Sequence, residues 1–425
     1  MRIAFVVGEF PNLSETFIIS QITGLIDRGH QVDIYAGRPG GTGRVHRSVT
    51  TYGLVDRTTY APTQPRRRLA RVGRVTRLLL DHPFANLTGR LSVLASFFKY
   101  GNLASWLTLL HRVTTFLPER RYDIIHCHFA PNALVAVMAR DAGILHGKLL
   151  TTFHGYDVTT YARKHGKGIY RRLFQRGDMY TANSMFTTRR AVELGCPADK
   201  IVKLPTGVDT RLFSFTERSP DPKGTIRILT VGRLVEVKGI EYGIRAVARV
   251  LPNHPNVRYQ IVGQGPLLPE LKELAAKLGV ADQVEFLGGQ THDEVRRLYA
   301  GAHLFMLPGV VARDGAQEAQ GLVLIEAQAT GLPVLATRVG GVPESVLDGE
   351  SGYLVDQGDV DVLSAKLGYL IEHSALWPEM GRAGRRFAVE HFDIERLNDR
   401  LIDIYHRLLE GKAQYSPTAR AAVVA

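Results

Sequence analysis

Residues 226–250 read IRILTVGRLVEVKGIEYGIRAVARV, and the order of residue types in that stretch decides the fold. IRILTVG is apolar and β-branched and reads as a strand, while GRLVEVKG carries the charge and glycine of a turn. From Ile240 to Val250 the apolar residues recur three or four apart, which is the spacing of a helix with one buried stripe. Strand, turn and helix in that order make half of a parallel β-α-β unit. Downstream the pattern repeats as VRYQIVG, a helix from Leu267 to Leu278, then VEFLG and HLFMLP. Upstream it has already run once, as RIAFVV, a helix from Phe17 to Arg28, QVDIY, DIIHCH, a helix near Ala133 to Ala142, KLLTTF, MYTANS, a helix from Met185 to Leu194 and IVKLP.

The expected fold class is therefore α/β, with two Rossmann-like doubly wound domains facing across a cleft. The expected domains are 1–210 and 225–411, joined by a linker at 211–224 that is rich in charge, Ser and Pro, with a disordered tail at 412–425. Leu397, Leu401, Ile404 and Leu408 describe one buried stripe of a last helix, which is expected to pack back across either domain. Ligands of open parallel sheets lie beyond the carboxyl ends of the strands, so the residues that follow strands are the ones to weigh.

Bulk properties narrow the class. The chain has 425 residues with 45% hydrophobic and 22% charged content, typical of folded globular proteins. Cys127 and Cys196 are its only cysteines and no signal-peptide pattern opens it, so a reducing, cytoplasmic setting is expected. The longest apolar region, Leu91 to Leu117, is broken by Lys99 and Arg112 and falls short of the ~20 residues that span a bilayer. Net charge is +12, but residues 1–210 hold 29 Lys and Arg against 14 Asp and Glu, while the remainder holds 24 against 27. The basic first half implies an anionic partner there, a membrane surface or a nucleic acid. Within it Arg67, Arg71 and Arg74 recur at helical spacing with Leu69, Val72 and Leu79 on another face, which suits either a solvated helix or one lying on lipid.

Several strand ends carry chemistry. Arg233 follows IRILTVG and Lys238 opens the next helix, so two cations and a helix N-terminus converge where a diphosphate would find charge and peptide N–H groups. In EAQGLVLIEAQATGLPVLAT, Glu318 precedes the turn at Gly321, and Glu326 sits in a helix too apolar to need it. A buried carboxylate needs donors, and sugar hydroxyls would supply them. His154 ends KLLTTF beside Gly155 and Asp157, and His126 and His128 share one side of a strand without a complete zinc set. Ser14 reads as the N-cap of the first helix. Each of these residues alone has an ordinary reading as an ion pair, a cap or a satisfied core group. Neither half holds a complete G-x-G-x-x-G after its first strand, and no G-x-x-x-x-G-K-[ST] occurs, which argues against hydride transfer and ordinary ATP chemistry.

Taken in order, FPNLSETFI, TFHGYD, LPTGVD, VGRLVEVKG, IVGQGP, the Glu318 to Glu326 segment and GGVPESVLDGESGYLV resemble a retaining glycosyltransferase of the GT-B fold, family 4. The resemblance covers roughly 1–411, and FPNLSETFI with HCHFAPNALVAVMA is similar to the branch that builds bacterial exopolysaccharide. It implies that Arg233 and Lys238 hold the donor diphosphate. Glu318 and the backbone of Gln320, Gly321 and Leu322 would contact the transferred sugar, and Glu326 the ribose. The base would lie near Gly263 and the stretch 287–290 that includes Gly288, with His154 beside sugar and acceptor. Ser14, Glu15, His128 and Asp157 would be acceptor or phosphate contacts. The resemblance further implies a UDP- or GDP-sugar donor, a lipid-linked or oligosaccharide acceptor, no metal or cofactor, and a basic half that meets the inner membrane leaflet rather than nucleic acid. Two departures stand out: Thr206 replaces the family's Asn in N-G-V-D, and Gly8-Glu9-Phe10 replaces paired glycines after the first strand. A sugar-nucleotide hydrolase or phosphorylase using the same residues, and a non-catalytic partner in glycan assembly, are the alternatives.

Overall fold

A computed structural model of the chain describes residues 1–12, 15–41, 46–62, 73, 112–116, 120–218 and 224–412. Ser14, the basic stretch around Arg66 to Arg77, most of Leu91 to Leu117 and nearly all of the expected tail lie outside the described residues.

Two compact units result, one of residues 1–204 with 398–425, the other of residues 205–397. In the first, seven parallel strands, β1 (Arg2–Phe10), β2 (Gln31–Pro39), β3 (Thr58–Tyr60), β4 (Arg120–His128), β5 (Leu145–Phe153), β6 (Met179–Ala182) and β7 (Ile201–Lys203), lie in the order β3-β2-β1-β4-β5-β6-β7. In the second, six parallel strands, β8 (Ile226–Val231), β9 (Val257–Val262), β10 (Val284–Gly288), β11 (Leu304–Leu307), β12 (Val334–Thr337) and β13 (Gly352–Val355), lie in the order β10-β9-β8-β11-β12-β13. Both are doubly wound sheets of the kind the strand-helix rhythm predicts. The order reverses at β1/β4 in the first and at β8/β11 in the second, and each reversal opens a crevice at the carboxyl ends of the strands.

The cores explain why these segments are nearly continuous apolar runs. Strands covered on both faces bury every side chain: Ile3 to Val7, Phe305 to Leu307 and Val334 to Ala336 are all buried. Helix Ala130–Asp141 is buried almost all round, from Ala130 through Ala139, which suits its run of small and apolar residues.

The domain boundaries differ from the expected ones. The division falls between Leu204 and Pro205 rather than at 210, and 211–218 is not a free linker. Phe213 belongs to the second core, Thr216 N donates to Thr330 O at 3.1 Å, and the Arg218 guanidinium donates to the carbonyls of Tyr299, Ala300 and Thr330. Those carbonyls close helices His292–Gly301 and Leu322–Ala329, so a charge that looked like linker composition saturates two helix C-termini.

The last helix, Ile394–Leu409, buries Leu397, Leu401, Ile404 and Leu408 as its spacing predicts, and from Asn398 onward it packs with the first unit. Tyr405 on it hydrogen-bonds His126 Nδ1 at 2.7 Å, and Arg28 pairs with Asp399 at 2.8 Å. Among the described residues no helix is long and apolar enough to cross a membrane.

Candidate functional site

In the second unit the charged residues gather at the β8/β11 reversal. Arg233 and Lys238 follow β8, and Glu318 follows β11. Gly232 makes room for the lysine: a Cβ there would lie 3.3 Å from Lys238 Cε, so the stem runs over bare backbone. Lys238 Nζ is paired with Glu318 Oε2, and both side chains are largely buried, 14% and 16% exposed. Arg233 is exposed and makes no ion pair among the described residues.

Two helices begin here. Gly239, left-handed at φ +59°, starts Ile240–Val250, and Gly321, left-handed at φ +82°, starts Leu322–Ala329. Glycine is required at 239, where a Cβ would fall 1.8 Å from Pro308 O. Apart from Tyr242 N and Leu324 N, which donate to Gly239 O and Gly321 O, the first-turn N–H groups of these helices have no intrahelical acceptor and present partial positive charge beside the two cations.

Glu318 is held by its backbone. Its carbonyl accepts from Gly341 N at 2.9 Å, and a Cβ on Gly340 would sit 2.0 Å from that oxygen. Gln320 is buried: its side-chain amide makes a reciprocal pair with the backbone of Thr206 at 2.8 and 2.9 Å, and its carbonyl accepts from Ser345 Oγ at 2.7 Å. Only its backbone N–H, with those of Gly321 and Leu322, is left for a ligand. Thr206 meets Gln320 through main-chain atoms alone, which is why Asn can be replaced at that position without loss of the contact.

Glu326 is half-buried one turn further along the helix. Tyr299 Oη donates to its Oε2 at 2.9 Å and, less closely, to Val323 O at 3.2 Å. Burial pushes the Glu326 carboxyl from 4.5 up to about 7, against the Tyr299 hydrogen bond and the charge of Lys238. A protein donor was therefore already waiting for this carboxylate, and sequence reasoning missed Tyr299. The signal was present in HDEVRRLYAG, whose one aromatic residue is fully buried in a helix otherwise rich in charge.

Gly263 and Gly288 come together at the ends of β9 and β10, with Gly263 N donating to Gly288 O at 2.8 Å. Their glycines answer different needs. A Cβ at 263 would lie 1.8 Å from Gly232 O, whereas at 288 nothing is near and only the left-handed φ of +67° demands glycine.

In the first unit the carboxyl ends of β4 and β5 carry a stack of rings. His126 and His128 lie 4.4 Å apart and nearly parallel, His128 and His154 5.2 Å apart, with Phe17 and Phe129 4.9 and 4.5 Å from His154. His128 Nδ1 and His154 Nε2 share one hydrogen bond at 3.0 Å, while His128 Nε2 is buried without a partner. An orphaned N–H is the rarer state, so His128 is assigned its proton on Nδ1 and donates, which leaves the His154 proton on Nδ1. Burial lowers His154 and His126 to about 3, so both are neutral at working pH.

Three expected acceptor contacts are placed otherwise. Asp157 is fully buried, and its two oxygens accept from Ala130 N at 3.1 Å and His154 N at 3.0 Å. It caps the helix Ala130–Asp141 and fixes the loop that carries His154, so it has no oxygen facing outward for a ligand. His128 is likewise fully buried and reaches a ligand only through His154. Glu15, not Ser14, is the residue that precedes the helix Thr16–Asp27, and its side chain makes no capping bond. Burial and the neighbouring Glu9 push its carboxyl up to about 7.

A family model described as glycosyl transferases group 1 matches residues 214–387, and one described as glycosyltransferase family 4 matches 80–212. A Salmonella typhimurium protein assigned to colanic acid biosynthesis as glycosyltransferase WcaL is 32% identical over 408 residues, 95% of this chain and 99% of that protein. The chain is a family 4 glycosyltransferase. The amylovoran biosynthesis glycosyltransferase AmsK of Erwinia amylovora is 32% identical over 371 residues, 86% of this chain and 90% of its own. Anabaena Alr3699/HepE, solved in complex with UDP-glucose, superposes with a TM-score of 0.69 at 19% identity, covering 95% of this chain and 98% of that one. The glycosyltransferase thus has the GT-B fold, two Rossmann-like α/β domains. Its Lys238, Glu318 and Gly321 lie at the reversal of the second sheet, the part of the chain that the group 1 model covers.

Proposed function

We propose that this glycosyltransferase moves a hexosyl unit from a nucleoside-diphosphate sugar to a growing surface-polysaccharide glycan, with retention of anomeric configuration and without a metal. The observation that carries the donor half is the buried Lys238–Glu318 pair at the β8/β11 reversal, between two helix N-termini. An ion pair held largely out of water is costly unless further partners join it. A diphosphate would take the lysine's charge, and the sugar's hydroxyls would satisfy the carboxylate. Arg233 and Lys238 then stabilise the negative charge that grows on the leaving phosphate, the service a divalent cation performs elsewhere. Glu326, kept in place by Tyr299, receives the ribose hydroxyls, and the backbone beside Gly263 and Gly288 receives the base. His154, with its proton on Nδ1, donates to a hydroxyl of sugar or acceptor.

Relatives that carry colanic acid and amylovoran biosynthesis names support a glycan acceptor. The net charge of the first half supports a lipid-linked one presented at an anionic inner leaflet, with the enzyme peripheral on the cytoplasmic side. The deciding experiment is turnover of Lys238→Ala and Glu318→Ala on a panel of UDP- and GDP-sugars. Loss of one preorganised charge contact lowers kcat by about 10²–10³. Wild-type turnover in either variant refutes the assignment.

A further inference from the structure

Arg112 was noticed in the sequence only because it interrupts an apolar region, and the donor chemistry leaves it unused. Its Nη2 donates to Asn132 Oδ1 at 3.0 Å, and Asn132 Nδ2 donates to His128 O at 2.7 Å. Asn132 lies in the first turn of the helix after β4. A Cβ on Gly37, in β2, would stand 2.9 Å from Arg112 Nη2, and one on Gly8, in β1, would stand 3.7 Å from the Asn132 amide. The guanidinium therefore sits at the carboxyl ends of β1 and β2, beside the helix that follows β4. That is the β1/β4 reversal, where doubly wound sheets take their ligands.

A guanidinium held in the interior normally gathers several acceptors. Arg218 donates to three carbonyls, and Arg385 to those of Thr210, Phe213 and Ala329. Arg112 makes one side-chain hydrogen bond and no ion pair among the described residues, which leaves most of its N–H groups unmatched. Burial lowers its pKa, and the titrating groups nearest it are the Cys127 thiol and the Tyr161 phenol, both themselves pushed up and neutral. The space beside it, between Gly37, Ala61 and Phe116, is about 10 Å³.

We propose that Arg112 anchors an oxyanion site in the first unit, which takes a carboxylate or phosphate group projecting from the acceptor. The assignment to the acceptor rests on the diphosphate, ribose and base contacts lying in the second unit, as proposed above. A planar fork suits a two-oxygen anion, and the missing counter-charge is the ligand's own. Acceptor glycans that carry an acidic sugar and acceptors that carry a phosphate offer the same chemistry.

The test is direct titration of sodium glucuronate, inorganic phosphate and neutral glucose into the full chain, read by calorimetry. Every protein carries Arg233→Ala and Lys238→Ala so that anions do not report the donor site. With Arg112 intact, glucuronate or phosphate binds and glucose does not. Arg112→Gln weakens that binding at least tenfold, and Arg112→Lys, which keeps charge but loses the fork, weakens it less. Glucuronate alone as ligand identifies an acidic sugar, and phosphate alone a phosphorylated acceptor. Should Arg112→Gln fail to fold, the Arg112→Lys comparison carries the test. Binding of neither anion, or equal binding by every folded Arg112 variant, overturns the proposal. None of these readouts requires sugar transfer, so a failed donor assignment, seen as nucleoside diphosphates that do not bind the protein with Arg233 and Lys238 intact, is a separate result.

Discussion

Replacing Glu326 with Gln separates what this carboxylate costs the fold from what it gives the donor. Its carboxyl is raised from 4.5 to about 7 by burial. The folded state therefore holds the proton more tightly than the unfolded chain, and stability is full below 4.5 and lost as pH rises through 7. Between pH 5 and pH 8 the loss grows by about 2.5 kcal/mol for a group titrating near those two values. Gln does not titrate. The melting temperature of Glu326→Gln should therefore rise relative to wild type across that interval, by roughly 5–10 °C for a unit of this size. The same change weakens donor binding. Ribose hydroxyls that donate to a carboxylate lose about 1.5–3 kcal/mol when the acceptor becomes a neutral amide, some tenfold to a hundredfold in Kd. Scanning calorimetry of both proteins from pH 5 to 8, with titration of UDP and GDP at pH 7.5, measures both effects. A melting-temperature difference that stays flat with pH would refute the burial argument. Unchanged nucleotide affinity would refute the ribose assignment.

Tyr299→Phe removes the hydroxyl that holds Glu326 and should raise donor KM about tenfold with little change in kcat, measured by initial rates at saturating acceptor. Asp157→Ala leaves the N–H groups of Ala130 and His154 unpaired in the interior and should cost about 2–5 kcal/mol in urea unfolding of the first unit, while nucleotide binding by the second is retained. Gly340→Ala places a Cβ against the Glu318 carbonyl at a left-handed φ of +56° and should lower turnover by displacing Glu318, with the melting temperature of the first unit unchanged.

What could be read from the chain was whatever its periodicity and strand ends encode locally. IRILTVG and the helix after it, the two halves, and the stripe Leu397, Leu401, Ile404 and Leu408 all follow from spacing alone, because parallel strands buried on both faces and one-faced helices leave that pattern. Lys238 was legible as a candidate because it lies in the turn that follows a strand, and Glu318 because it precedes the glycine turn that opens an apolar helix. Tyr299 was not, since its bond to Glu326 exists only once two helices 27 residues apart are packed together. The same physics misplaced Asp157. A carboxylate after a strand end looks like a ligand contact, and only the fold shows the helix N-terminus, also 27 residues away, that consumes it. The segment 211–218 misled for a related reason, because Arg218 reads as solvated until the carbonyls it saturates are known.

Arg112 extends that lesson in the opposite direction. A charge in an apolar run has two stable outcomes in a folded chain, saturation by the protein or completion by a ligand, and sequence cannot distinguish them because both look like an interruption. Arg218 and Arg385 lie nearer the first outcome, each with three carbonyl acceptors, although Arg218 Nε stays without a partner. Lys238 is intermediate, paired with a carboxylate that itself has work to do on the sugar. Arg112 stands at the other end, with one neutral amide oxygen as its hydrogen-bond acceptor at the crevice of its sheet. Ordering the buried cations by how completely the protein satisfies them therefore separates those that hold the fold from those that await an anion. The ordering predicts that Arg385→Gln lowers the melting temperature without altering oxyanion binding, while Arg112→Gln does the reverse.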